Sequence, residues 1–161
     1  MSARIRRTAE VAVETTATAE QVWAVLADVT RVGEWSHECR TARWLDGADR
    51  ADVGVRFRGA NRAGLARWAR PCTITEVEPG RRLAYRTHGG ISGDSTEWRF
   101  TLEPTPGGCR IVQAYEILRL SRALEWAILK VVPQHEDRAP ALRSDLERLG
   151  AVAAADREQP G

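Results

Sequence analysis

Lysine is almost missing from this chain: of its 24 basic residues only Lys130 is a lysine, and the rest are arginines. Arginine suits planar recognition of phosphate and carboxylate, but so uniform a preference is more simply explained by genomic base composition. Cysteine is scarce too, with three residues, Cys39, Cys72 and Cys109. They are odd in number, widely spaced and lack a C-x-x-C pair, which argues against a zinc site or a disulfide framework and for reduced, partly buried thiols. Histidines His37, His88 and His135 show no metal-ligand spacing, so neither a metal nor a cofactor is expected. No charge of one sign dominates. The formal charge is +2, with acids and bases interleaved, so no nucleic-acid partner is expected. Long apolar runs are lacking as well. Ala127 to Pro133 is interrupted by Lys130 and too short to span a bilayer, and the basic stretch Met1 to Arg7 has no apolar run after it, unlike a signal peptide. These absences predict a cytoplasmic protein without stable membrane insertion. There is no phosphate-binding glycine loop, since Gly89-Gly90 and Gly107-Gly108 sit between strands where hairpin turns want them. No nucleophile elbow or nucleophile–base pair can be read.

What is present is a clear alternation of periods. Its 161 residues suit one domain that buries roughly two-thirds of its unfolded surface. Thr8 to Thr15 alternates with period two and reads as a half-buried strand. Thr18 and Gln21 then have capping-box spacing, and Val22, Val25, Leu26 and Val29 fall on one helical face. Thr30 to Trp35 suggests a second short helix or turn, loosened by Gly33. Strands follow at Thr41–Leu45, from Val53 to Asn61, from Trp68 to Val77, around Leu83–Thr87, from Thr96 to Glu103 and from Ile111 to Ile117. Asn61 to Gly64 reads as the turn between two of them. Connections this short require antiparallel pairing. The last third carries two apolar stripes, Leu124, Ala127, Ile128, Val131 and then Ala139, Leu142, Leu146, Leu149. Pro133 should kink or break this region. Pro140 fits a first helical turn behind an Asp137 cap, and the helix should run to about Ala155 before a frayed tail, Asp156 to Gly161.

A final helix after a sheet must bury its stripe on that sheet, and six or seven twisted strands curl enough to grip it. The expected fold is therefore α+β: a curved antiparallel sheet of six to seven strands wrapped around a long, kinked C-terminal helix, with two short helices after the first strand. Where sheet and helix diverge, a cavity opens. The chain resembles the START-like helix-grip superfamily, also called SRPBCC or polyketide cyclase/dehydrase and lipid-transport proteins, over roughly residues 6 to 152, within one domain spanning 1–155. The resemblance rests on Val11-Ala12-Val13, on Ala19-Glu20-Gln21-Val22-Trp23, on Ile74 to Leu83 and on Ser95-Thr96-Glu97-Trp98-Arg99-Phe100. More narrowly it looks like a bacterial branch with Gly33-Glu34-Trp35-Ser36-His37-Glu38, Gly59-Ala60-Asn61 and a His before the last helix, here His135. His37 departs from the proline that such relatives often carry there. The resemblance implies a fold, not a reaction.

Several side chains are candidates for a site, each with a competing structural role. His37 and Glu38 are the acid–base candidates beside Trp35, although Trp35 can equally plug the core while Glu38 caps a turn or pairs with an arginine. Asn61 can orient a ligand carbonyl or hydroxyl, or it can take a left-handed turn conformation. Trp68, Tyr85, Trp98 and Tyr115, with Phe57 and Gln113, can line a pocket for a ring-bearing or acyl ligand, or they can fill the core. Arg70 shares the phase of Trp68 and Cys72, which would turn it inward toward a carboxylate or anionic group, unless a bulge near Pro71 turns it out. His135-Glu136-Asp137 reads most simply as a capping cluster, the alternative being that His135 reaches the pocket.

The preferred functional expectation is a binding module, possibly for transport or sequestration, whose partner is a small hydrophobic ligand such as a lipid or polyketide. The alternative is an enzyme, a polyketide aromatase/cyclase or dehydratase, and a third is a toxin-like protein-interaction module. The chain is expected to be a monomer or a homodimer.

Overall fold

A computed structural model gives the architecture, and the structure describes residues 3–156. The expected frayed tail, Asp156 apart, and the first two residues lie outside that range. Seven strands form one antiparallel sheet: β1 (Thr8–Thr15), β2 (Cys39–Trp44), β3 (Arg56–Ala63), β4 (Ala66–Glu78), β5 (Arg82–His88), β6 (Ser95–Thr105) and β7 (Gly108–Arg119). Their order is β1-β7-β6-β5-β4-β3-β2, so the first strand closes against the last and the others follow as hairpin neighbours. Helix α1 (Ala19–Leu26) and a 3-10 turn (Val29–Glu34) follow β1, while α2 (Arg122–Val131) and α3 (Ala139–Asp156) end the chain. This is the helix-grip arrangement.

Local chemistry sets the helix ends. At the start of α1 the Gln21 N–H donates to Thr18 Oγ1 at 3.2 Å and the Thr18 N–H donates to Gln21 Oε1 at 2.9 Å, the reciprocal capping box read from the sequence. Val22, Val25 and Leu26 then face the core. Pro133 does end a helix: α2 stops at Val131 and a 3-10 turn, Pro133–Glu136, leads on. The Ala139 N–H donates to Asp137 Oδ1 at 3.1 Å, so Pro140 sits in a first turn where its missing donor costs nothing.

From α3, Leu142, Leu146, Leu149 and Ala153 are buried among Phe100, Leu102 and Ile111 of the sheet. Burying each leucine stabilises the fold by roughly 2 kcal/mol. Helix and strand approach closely at Gly150, where an added Cβ would lie 2.7 Å from Thr15 Oγ1. A second tight place is Gly33, whose Cβ would meet the Arg40 carbonyl oxygen at 2.1 Å.

Two boundaries differ from the sequence reading. β3 continues through Asn61 to Ala63 and the turn falls on Gly64-Leu65; Asn61 pairs with Trp68 on one side and Cys39 on the other. The expected Asn61–Gly64 turn is displaced because ladder pairing on both sides outweighs the turn preference of one asparagine. At its other end β3 begins at Arg56, and Val53, expected to open this strand, is exposed in the preceding turn. The β3–β4 turn, the β5–β6 connection and the end of β7 share one end of the sheet, and α2 departs from there.

Candidate functional site

Between the concave face of the sheet and α2, α3 and the Trp35–Cys39 loop lies a cavity of about 450 Å³. Its floor is aromatic. Trp35 meets Phe100 edge-on with ring centres 6.0 Å apart, Tyr85 stacks on Phe100 at 6.3 Å, and Phe57 meets Tyr85 edge-on at 5.2 Å. Leu124, Ala127, Ile128 and Val131 close the opposite side from α2, the first stripe seen in the sequence.

The Trp35–Cys39 loop is tied at two points by buried carboxylates. Glu38, 6% exposed, accepts from His135 Nε2 at 2.5 Å and from Arg138 Nη2 at 2.5 Å. Asp145, 2% exposed, sits on α3 and accepts from the His37 backbone N–H at 2.9 Å. It also meets His37 Nδ1 at 2.7 Å and Arg148 Nη2 at 2.5 Å. Arg148 Nε donates to the Trp35 carbonyl at 3.0 Å, and Ser36 Oγ accepts from the Cys39 N–H at 3.0 Å. Two tryptophans frame the Glu38 cluster: the Arg138 guanidinium lies 4.9 Å over the Trp98 ring, and Trp68 meets His135 edge-on at 5.9 Å. A cation over an aromatic face is held there electrostatically.

Burial pushes the Glu38 carboxyl up, but the His135 hydrogen bond and the positive charges of Arg138, His135 and His37 outweigh it. The group is held below the usual carboxylate range. An ionised carboxylate so held is a fixed negative charge that orients its imidazole partner. The Tyr85 hydroxyl is pushed well up by burial and stays neutral. Burial likewise raises Cys39 to about 11 and Cys72 to about 12, so neither wall thiol is a nucleophile near neutral pH. All three cysteines are free.

Most of the side chains singled out by sequence converge on this space. Trp35, His37, Glu38, Phe57 and Asn61 lie on its wall, as do Trp68, Arg70, Tyr85, Trp98 and Gln113. Arg70 points inward and pairs with Asp94 at 3.3 Å. No bulge occurs at Pro71, which pairs in register with Arg58; the irregularity in β4 falls between Ile74 and Glu76. Tyr115 is the exception among the aromatics. It tilts behind Trp98 with ring centres 5.3 Å apart and donates its hydroxyl to the Arg6 carbonyl at 2.9 Å. Of the His135-Glu136-Asp137 run, Asp137 caps α3 as read, whereas His135 follows the alternative and reaches the wall and Glu38. His88 stays outside, near Thr73.

Arg138, Asp145 and Glu125 were not anticipated. Arg138 and Asp145 stand four before and three after Leu142, in phase with the buried row of α3, so polar residues on an apolar stripe were the signal. Glu125 is buried on α2 and accepts from the Ile5 N–H at 2.9 Å, strapping that helix to the segment before β1. Three buried polar atoms on wall side chains, Trp35 Nε1, Gln113 Oε1 and Arg138 Nε, have no hydrogen-bond partner among the described residues. Buried polar atoms left so are uncommon in folded proteins and call for a partner. No group of side chains suited to hold a metal ion occurs among the described residues.

Residues 6–153 match the family described as polyketide cyclase / dehydrase and lipid transport. The chain belongs to that family, and the fold is that of the SRPBCC superfamily. Solved structures agree on the architecture. A Mesorhizobium loti protein shares 22% identity over 96% of this chain and 100% of its own, with a TM-score of 0.63. A "Polyketide_cyc-like" protein from Corynebacterium glutamicum is similar at 21% identity, covering 94% of this chain and 93% of its own, with a TM-score of 0.61. A protein from Chromobacterium violaceum reaches a TM-score of 0.64 at 16% identity, over 92% of this chain and 98% of its own. At these identities the likeness concerns the fold. No curated protein matches the chain.

Proposed function

We propose that the protein binds a small, hydrophobic, ring-bearing molecule, such as a polyketide or an aromatic lipid, in the cavity between sheet and C-terminal helices. The observation that carries this reading is the cavity itself. At about 450 Å³ it falls within the roughly 300–1,000 Å³ typical of small-molecule sites, and its floor of Trp35, Phe57, Tyr85 and Phe100 offers ring faces and edges for stacking. The charged groups deepest in the wall, Glu38 and Asp145, are already paired within the protein. What they leave for a guest is apolar surface with a few uncharged polar groups. Native mass spectrometry of the purified protein, with chromatography of the organic extract released on denaturation, tests this. A bound small molecule of matching size is expected, and quenching of Trp35, Trp68 and Trp98 fluorescence should accompany its return. Protein that carries nothing, and whose fluorescence no hydrophobic aromatic compound alters at millimolar concentration, would end the proposal.

The Glu38–His135–Arg138 cluster favours a second reading, a cyclase or dehydratase acting on a β-keto chain. Here Arg138 and Tyr85 would polarise a carbonyl, and the Glu38-oriented His135 would move the proton. Its test is turnover of an aromatic β-keto thioester by wild type and by Glu38→Gln, assayed well below the melting temperature of either. Equal turnover removes Glu38 from any chemistry.

A further inference from the structure

Large apolar side chains are exposed at one end of this molecule. Leu65 at the β3–β4 turn is 98% exposed, Ile91 in the β5–β6 connection is fully exposed, and Leu118 stands at the end of β7. Trp126, 65% exposed, and Val131 project from α2. Strand direction puts these turns and the start of α2 at the same end of the sheet. Leu65, Leu118 and Trp126 are next in sequence to Ala66, Ile117 and Ala127 of the cavity wall, Val131 is itself on that wall, and Ile91 stands three residues before Asp94, also on it. The apolar tips therefore stand beside the cavity wall at this end of the sheet. Val53, the other exposed large apolar side chain among the described residues, lies at the opposite end, before β3.

The same end is unbalanced in charge. Arg4, Arg62, Arg67, Arg119, Arg122 and Lys130 form no ion pair among the described residues, and Lys130 instead lies 5.5 Å over the Trp126 ring. The acids nearby are mostly engaged. Asp94 is held by Arg70, Asp137 by Arg6 and buried Glu125 by Arg7 and the Ile5 N–H, which leaves Glu136. Elsewhere on the sheet Arg56 pairs with Asp46 and Arg86 with Glu97, while Arg43 and Arg58, exposed on β2 and β3, also form no ion pair among the described residues.

We propose that this end docks reversibly on an anionic lipid surface. The apolar tips enter the headgroup layer while the unpaired cations meet lipid phosphates, so that the cavity opens toward the bilayer rather than toward water. Charge selects this occupant. A second copy would bring the same uncompensated cations face to face, whereas a surface rich in acidic headgroups attracts each nearby Lys or Arg. A tryptophan with a neighbouring lysine on an amphipathic helix is the side-chain pair that settles at a membrane interface. No helix here is long and apolar enough to cross a membrane; the contact is peripheral. It is independent of which molecule fills the cavity.

Flotation with sonicated vesicles of phosphatidylcholine alone, or with 30 mol% phosphatidylglycerol, tests it. The protein should float with the anionic vesicles at low salt, at least about tenfold more than with neutral ones, and the excess should fall in 0.5 M NaCl. The triple variant Leu65→Glu, Ile91→Glu, Trp126→Glu should lose the binding by at least about tenfold while keeping the wild-type circular dichroism spectrum, because all three side chains are exposed. Val53→Glu should float like wild type. Failure of the wild type to float with either vesicle overturns the proposal, as does equal flotation by the triple variant. So does a concentration-dependent dimer, or a stoichiometric protein partner in place of vesicle binding, that the triple variant abolishes.

Discussion

Replacing Glu38 by Gln keeps the shape of the side chain and removes its charge, leaving Arg138 buried beside Trp98 without its counter-ion. Breaking a buried pair from one side costs about 3–5 kcal/mol. Arg138 retains 19% side-chain exposure and the amide can still accept one hydrogen bond, so about 2–3 kcal/mol is expected here. For a chain of this length that lowers Tm by about 4–12 °C. The pH dependence carries the mechanism. The native Glu38 carboxyl is held below its ordinary value, so its contribution is fully present above an unfolded value of about 4.3 and is lost as pH falls through the native one. Melting curves of wild type and Glu38→Gln, followed by circular dichroism, should be furthest apart at neutral pH and draw together below about pH 4. Equal melting at pH 7, or a gap that does not change with acid, would show that solvent in the cavity already compensates Arg138 and that Glu38 does not hold the loop.

Two further outcomes follow from burial and sterics. Cys39 and Cys72, raised to about 11 and about 12, should resist a disulfide reagent at pH 8 in the folded protein and react promptly in guanidinium chloride; fast native labelling of Cys72 would contradict its enclosure. Gly33→Ala should destabilise by at least about 1 kcal/mol, read as a lower midpoint in urea at unchanged slope, because its Cβ would strike the Arg40 carbonyl, which is backbone and cannot swing away.

The parts of the fold legible in the sequence were those set by local period and capping. β1 was readable end to end because Ala9 and Val11 alternate with exposed neighbours, and α1 because its box closes within four residues. Boundaries set by pairing were not. Nothing local around Asn61 says that Trp68 and Cys39 will flank it, so a turn-forming residue was given to the turn. The site divided in the same way. Trp35, Glu38, Trp98 and Gln113 announced themselves by composition and phase, whereas the partners of Glu38 and His37 come from the 3-10 turn, the link after it and α3, about a hundred residues on in the chain, a separation that spacing rules of a few residues do not reach. His135 and Arg138 follow Pro133, and only the angle at which the chain leaves that break decides whether they meet the wall or solvent. Asp145 was within reach, since a carboxylate in phase with Leu142, Leu146 and Leu149 has to be either paired or wrong.

The pairing of β1 with β7 has a consequence for how the molecule comes into being. Thr8 bonds opposite Glu116 and Thr15 opposite Cys109, and the helix that covers β1 is made later still. During synthesis the first strand therefore leaves the ribosome with Ala9 and Val11 unprotected, and it waits until nearly the whole chain has followed. Such non-local closure makes for slow folding and an aggregation-prone interval. The alternating glutamates Glu10 and Glu14, exposed on its outer face, are the charges that keep that waiting strand from joining another.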